Sequence, residues 1–292
     1  MQHLNWRYRP EGLRAPALIC AFKGWNDAGD AASTAASFVA DSFKAREFAT
    51  LDPEEFYDFQ SVRPEIEIDG DQHHRLRWPE VTLSEVRVPR APRDLIVLVG
   101  PEPSYHWRTF TDTVIELAET LGVQIVVTLG ALLADIPHTR PVAISGFTSD
   151  PLLTTRLSLS ESSYEGPTGI LGVLQDACEQ TNMPSASLWA AVPHYISASP
   201  NPKAALALIR TLEGLVGVVV DATTLEQAAG DYERQVNLAV QSDPEIAAFV
   251  ERLERATHEE APDSFELPSG DSIARDLQRF LRQRGGDGHS KP

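Results

Sequence analysis

Eight residues, Lys23-Gly24-Trp25-Asn26-Asp27-Ala28-Gly29-Asp30, put two carboxylates, a carboxamide and an indole between an apolar run and an alanine-rich segment. Four other loops carry comparable groups. They are Gly100-Pro101-Glu102-Pro103-Ser104-Tyr105-His106-Trp107, the stretch 130–141 with His138 and Arg140, Tyr164-Glu165-Gly166-Pro167, and Pro193-His194-Tyr195. The candidate ligand-binding residues are therefore Trp25, Asn26, Asp27, Asp30, Glu102, His138, Arg140, Glu165 and His194. Glu102 and Glu165 offer paired carboxylates, and His138 and His194 can exchange protons near neutral pH. Arg140 can hold a carboxylate or a phosphate, and Trp25 or Trp107 can stack on a ring. Such an inventory suits a small nucleoside-like or anionic ligand, with the catalytic residues, if any, unknown.

Several sharper motifs are absent. Gly24 and Gly29 have the spacing of a phosphate loop, but Asp30 and Ala31 follow where that loop needs Lys and then Ser or Thr. Two aspartates at a helix start repel the phosphate that the helix dipole attracts, and the bland alternative for each is a capping group. His106, His138 and His194 lack the spacing of a zinc motif, so no metal and no cofactor is expected. There is no G-x-S-x-G elbow, and neither cysteine neighbours a histidine. Pro-His after an apolar run is commonly punctuation plus a histidine that bonds a neighbouring carbonyl.

These loops have to be held by regular elements. Ala17 to Phe22 reads as a fully buried strand, and Ala31, Ala32, Ala35, Ala36, Val39 and Ala40 share one helical face whose small side chains allow close approach to a sheet. Asp94 to Val99, the helix Thr109 to Leu121 and Val123 to Leu129 form a β-α-β unit, which predicts a right-handed crossover and parallel pairing. Val142 to Phe147 and Ala186 to Val192 add strands, and Thr168 to Gln180 a helix. Glu47 to Leu51 is a short strand, Glu65 to Ile68 pairs back with Arg75 to Trp78, and Pro79 to Arg93 reads as a proline-rich excursion. The fold class is α/β, a mostly parallel central sheet flanked by helices. In such a sheet the loops after the strands share one edge, where ligands bind, so the candidates are expected in one cleft.

After Pro202 the pattern becomes helical. Ala204 to Leu215 is an apolar helix, with Val216 to Val220 its continuation or a last strand. Thr223 with Glu226, and Ser242 with Glu245, read as capping boxes. One apolar stripe is Ile246, Phe249, Val250 and Leu253; another is Ile273, Leu277, Phe280 and Leu281, beyond a polar linker from Thr257 to Gly270. The division expected is an α/β core over 1–220, an acidic helical C-terminal appendage over 221–284 packed on it, and a disordered tail over 285–292. Residues 221–270 hold twelve acids against three arginines, a net charge of −9 out of −17 for the chain. So acidic a chain, with a pI near 4.8, argues against nucleic acid and anionic membranes as partners. Two cysteines in apolar settings make no disulfide framework, and with no apolar leader a cytoplasmic protein is expected.

FKGWNDAGDAA, DFQSVRP, GPEPSYHW, LLADIPHTRP, YEGPTGI and LWAAVPHY, in this order and at these spacings, resemble the proteasome assembly chaperone 2 family in its actinobacterial-type members, over residues 15 to 255. The resemblance implies a nucleoside phosphorylase-like α/β domain, a tendency to self-associate as a homo-oligomer, and 20S proteasome subunits as partners. It carries no catalytic residues onto this chain. Some proteasome-binding relatives end in a hydrophobic residue, a tyrosine and one final residue; here Gly285 to Pro292 is polar, so docking by such a tail is not expected. Two readings stand side by side: an assembly chaperone acting by protein binding, and an enzyme or sensor for a small ligand. A deep cavity at the strand ends favours the second, and an edge filled by side chains the first.

Overall fold

The computed structural model describes residues 2–68, 73–150, 165–196 and 198–259. An eight-stranded sheet runs in the order β1 (Leu4–Trp6), β3 (Arg46–Leu51), β6 (Thr82–Val86), β7 (Leu95–Pro101), β2 (Ala17–Lys23), β8 (Ile125–Ala134), β10 (Ser185–Pro193) and β9 (Ile144–Thr148). Strands β7, β2, β8 and β10 are mutually parallel, with Ala17 opposite Leu95 on one side and Ile125 on the other. The flanks are antiparallel, through β6 and β3 on one side and β9 on the other.

Alternation along β2 explains the layers. Ala17, Ile19 and Ala21 face the core under α1 (Ala31–Ser42) and α5 (Pro202–Val216), whereas Leu18, Cys20 and Phe22 face the core under α3 (Trp107–Thr120) and α4 (Ile170–Gln180). Small residues on the first face let the alanine-rich α1 sit close, and Ala31, Ala32, Ala35, Ala36 and Val39 are all fully buried. Both cysteines are buried as free thiols.

Four expectations are corrected. The strands of the β-α-β unit, β7 and β8, run parallel but do not pair, because β2 lies between them; a strand apolar on both faces is best buried with both edges paired. The excursion 79–93 contains β6. That strand is masked in the sequence by Glu85, a buried carboxylate that burial pushes up but that bonds from Arg46, Tyr8 and Arg87 bring below its ordinary value. Residues 217–220 are neither helix nor strand: α5 ends at Val216, and Gly217 takes the left-handed φ of 69° that stops a helix. Neither capping box forms. Asp221 Oδ1 accepts from the N–H and hydroxyl of Thr223, one residue ahead of a helix whose cap residue is Ala222, and Asp243 Oδ1 caps the next helix by accepting from the N–H groups of Glu245 and Ile246.

Those helices are α6 (Thr223–Ser242), which buries Leu225, Ala229 and Val236, and α7 (Pro244–Glu259), which buries Val250 and runs into the stretch expected to be linker. The second apolar stripe, 273–281, and the tail 285–292 lie outside the described residues. A short helix, α2 (Pro53–Phe56), and a separate two-stranded sheet, β4 (Glu65–Ile68) with β5 (His74–Arg77), precede β6.

Ala35→Leu should overfill the contact of α1 with the sheet and cost about 1–3 kcal/mol. Thermal unfolding checks it, and an unchanged melting temperature would mean that the helix packs with more room than its buried alanines indicate.

Candidate functional site

The turn after β2 is held from within. It continues beside β8, where Ala131 N–H donates to Asn26 O at 2.8 Å and Asp27 bridges to Ala131. A single 3-10 turn, Ala28–Asp30, then leads into α1. It displaces Asp27 from the usual capping position, so its Oδ1 accepts from the N–H groups of Ala32 at 2.7 Å and Ser33 at 3.2 Å, five and six residues on. The Ser33 hydroxyl donates to the other oxygen at 2.5 Å. Burial raises the Asp27 carboxyl above its ordinary value, and the bonds from Ser33 and Ala32 pull it partly back. Asp30 is exposed and accepts from the Ser199 hydroxyl. Gly29, at φ 60°, gives its carbonyl to Asn201 N–H at 2.7 Å, which fixes the start of α5.

Glu102, at the end of β7, is the second anchor. Its Oε1 accepts from Asn26 Nδ2 at 2.8 Å and from Ile170 N–H, at the start of α4, also at 2.8 Å. Its own N–H donates to Lys23 O at 2.9 Å. The backbone of α4 comes so close that a Cβ on Gly169 would lie 2.2 Å from Asn26 Nδ2 and 2.7 Å from Glu102 Oε1. One carboxylate therefore joins three elements, while it answers the positive end of α4. Asn26 is 1% exposed.

His138 belongs to a different cluster, under α5 and α6. Tyr195 Oη lies 2.7 Å from both His138 N and His138 Nδ1, and His138 Nε2 lies 3.0 Å from Asn237 Oδ1 on α6. Tyr195 accepts from the backbone N–H and donates its one proton to Nδ1. That leaves Nε2–H to donate to Asn237 and assigns the tautomer. Lys203 Nζ donates to His138 O at 2.5 Å and pairs with Glu233 of α6 at 2.9 Å. Burial pushes the Tyr195 hydroxyl up to about 12, so it keeps its proton. Nearby, His194 Nδ1 lies 2.8 Å from Asp135 Oδ1 but outside hydrogen-bond geometry, and its ring packs on Tyr195 and Phe249. Thr139 donates to Glu254 of α7 at 2.5 Å.

The expected single cleft is thus replaced by two clusters. Asn26, Asp27 and Glu102 come together with α1 and α4, whereas His138, Arg140 and His194 sit with α5, α6 and α7. Trp25 is 38% exposed beside the first cluster, and Glu165 is exposed and bonded to neither among the described residues. Arg140, half-buried, lines a cavity of about 10 Å³ with His138, Asn201, Lys203 and Tyr232, which is about the least that holds one water. A roomier hollow of about 360 Å³ opens elsewhere, at Gly12, Arg14, Arg87, Pro89 and Asp94, before β2 and β7; its two arginines are already paired with Asp94 and Glu85. Among the described residues no three His, Cys, Asp or Glu side chains gather as metal ligands. Lys203 and Asn237 escaped the sequence reading, since a lysine one residue into a helix and an asparagine in the middle of another carry no motif.

Burial holds the Glu102 carboxyl above its ordinary 4.5, against the pull of Ile170, Asn26 and Trp25. Just above that value the native state keeps a proton that the unfolded chain has released, so the stability this gives is present at lower pH and lost as pH rises through the folded value. Glu102→Gln carries no such titration. Its melting temperature relative to the wild type should rise as the pH climbs from the ordinary carboxylate value through the raised folded one, by roughly 2–4 °C per kcal/mol. A difference that does not vary with pH would contradict the buried carboxylate.

The model of the PAC2 family matches residues 21–240. A PAC2 family protein from Streptomyces avermitilis is 49% identical, with a TM-score of 0.75 over 80% of this chain and 99% of that one. A proteasome-assembly chaperone homologue from Mycobacterium tuberculosis is 43% identical, with a TM-score of 0.74 over the same shares. An archaeal proteasome activator from Pyrococcus furiosus, at 18% identity and a TM-score of 0.66 over 82% of this chain and 99% of its own, shares the fold. No curated protein matches. A family model spanning most of the sheet and both clusters, with relatives of more than 40% identity matched over nearly their whole length, makes this chain a member of the PAC2 family.

Proposed function

We propose that this protein acts by binding other proteins, as an oligomeric, assembly-chaperone-like factor for 20S proteasome subunits in the cytoplasm. The observation that carries this reading is the state of the strand-end edge. Asp27 and Glu102 cap helices, His138 bonds to α6 and to Tyr195 after β10, and Lys203 bonds to α6 and to the His138 carbonyl. Groups already bonded to one another must break those bonds to take up a ligand, at about 1–3 kcal/mol for each one left buried and unpaired. An edge closed in this way leaves the outer surface as the working part. The description of the Mycobacterium relative as a proteasome-assembly chaperone homologue supports the choice of partner. No helix among the described residues is long and apolar enough to cross a membrane, in keeping with a partner met in the aqueous phase.

The alternative, an enzyme or sensor for a small nucleoside-like or anionic ligand, requires α6 to move off His138 and Arg140. Both readings meet in one experiment. Mixed with isolated α and β subunits of an actinobacterial 20S particle, the protein should co-elute with one of them in size-exclusion chromatography. Equilibrium dialysis with adenosine, adenosine monophosphate and inorganic phosphate at about 1 mM should show no uptake. Uptake of one of these without co-elution would overturn the proposal in favour of the ligand reading.

A further inference from the structure

The ion pairs near the starts of β2 and β7 are lopsided. Asp94 pairs with Arg14, and Glu85 with Arg46 and Arg87; the two carboxylate side chains are 3% and 4% exposed, whereas the three arginine side chains keep 46%, 69% and 42%. Water and any partner therefore meet the cations of these pairs and not their anions. Arg14 uses four of its five N–H groups on Asp94, Ala91 O and Val88 O, and Arg87 uses four on Glu85, Glu11 O and Gly12 O. Both side chains are thus fixed, with one N–H of each left over on Nη1. They line the hollow of about 360 Å³ together with Gly12, Pro89 and Asp94. Arg90, next to Pro89, is exposed; Arg93 Nε is buried without a hydrogen-bond partner, and Arg9 lies over the Trp6 ring at 5.1 Å. Residues 7–14, 46–47 and 85–94 hold seven arginines against Glu11, Glu47, Glu85 and Asp94, a net +3, so the rest of a chain of −17 carries −20.

We propose that this arginine face docks a short acidic segment of a partner protein, whose Asp or Glu side chains meet the guanidinium groups while one of its residues enters the hollow. This rests on the protein-binding reading above and names a surface and the chemistry that it recognises. Charge complementarity decides the occupant. Arginines already held in place lose little freedom when a carboxylate arrives, and their planar heads suit that group. Since most of their N–H groups are taken, the attraction comes from the positive field, which reaches about 8 Å at physiological salt. Extent decides against other anions. A nucleic acid carries its charge past this face and onto a surface of −20, whereas a short acidic segment ends before it leaves the positive ground. A lone phosphate is far smaller than the hollow and meets a single remaining N–H on each of the two arginines that line it.

Fluorescence anisotropy with a labelled Gly-Glu-Glu-Gly-Glu-Glu-Gly peptide, and with its Gln counterpart, tests this on the wild type, on Arg9→Glu/Arg90→Glu and on Arg63→Glu/Arg108→Glu. The wild type should bind the Glu peptide at about 50 mM salt and lose about tenfold in affinity by about 300 mM, and it should not bind the Gln peptide. Arg9→Glu/Arg90→Glu should weaken binding about tenfold. Arg63→Glu/Arg108→Glu makes the same change in net charge at exposed residues elsewhere and should leave binding unchanged. Absence of binding, or equal losses in both double variants, would overturn the face. So would displacement of the peptide by millimolar inorganic phosphate or by a short single-stranded DNA at equal concentration, since the site would then belong to phosphate groups. Co-elution with a 20S subunit but no peptide binding would overturn this face and leave the protein-binding reading in place. Peptide binding at this face without co-elution would support the face and overturn the choice of 20S subunits as partners.

Discussion

The contact of Glu102 with Asn26 and Ile170 is the constraint on which the strand-end edge depends. It brings the end of β7, the turn after β2 and the first turn of α4 to one carboxylate, at 2.8 Å in both bonds. Because the donors converge on Oε1, the backbone at Gly169 lies where no larger residue fits. Asp27 makes the matching contact on α1, from a position set back by the 3-10 turn. Two helices of opposite layers are therefore started by carboxylates held in, or from, neighbouring strands. Both acids stay in place although burial raises their pKa, since capping N–H groups favour the charged form that burial opposes.

With its loops tied in this way, the edge where a parallel sheet ordinarily holds a ligand has Asp27, Glu102 and His138 bonded within the fold. The loop after β8 adds a second lock, in which one tyrosine hydroxyl serves both the backbone and the ring of His138 and α6 supplies Asn237. Lys203 spans from that loop to Glu233, so the acidic helices are joined to the sheet by polar bonds as well as by Leu225 and Val236. What faces water is the negative surface of α6 and α7, the hairpin with its neutral strands, and isolated aromatics such as Trp25 and Tyr105.

Much of the architecture was legible in the sequence because buried parallel strands are written as unbroken apolar runs: β2, β7, β8 and β10, with α1, α3, α4 and α5, are where periodicity put them. β6 was lost because Glu85 breaks its pattern, and nothing local tells that Arg46, 39 residues away, joins the adjacent Arg87 in neutralising it. The insertion of β2 between β7 and β8 is likewise invisible locally, since hydrophobicity reports burial and not neighbours. For the candidate residues, the sequence located the loops and their shared edge, but it could not distribute them between faces. Glu102 and His138 both follow parallel strands; one turns to α4 and the other to α6, and side-chain direction at a strand end follows from a bend that no motif encodes. The capping alternative for Asp27 describes what this group does in the fold, whereas the His138 ring bonds the Tyr195 hydroxyl and the Asn237 amide rather than a neighbouring carbonyl.

The most direct measurement of this account is a double-mutant cycle between Asn26→Ala and Glu102→Ala, read by chemical denaturation. A buried charge-assisted bond within a shared network predicts coupling of about 1–3 kcal/mol, with each single change leaving an unpaired group behind. Coupling near zero, with both single variants as stable as the wild type, would contradict it, and the edge would then be polar for some purpose other than holding the fold.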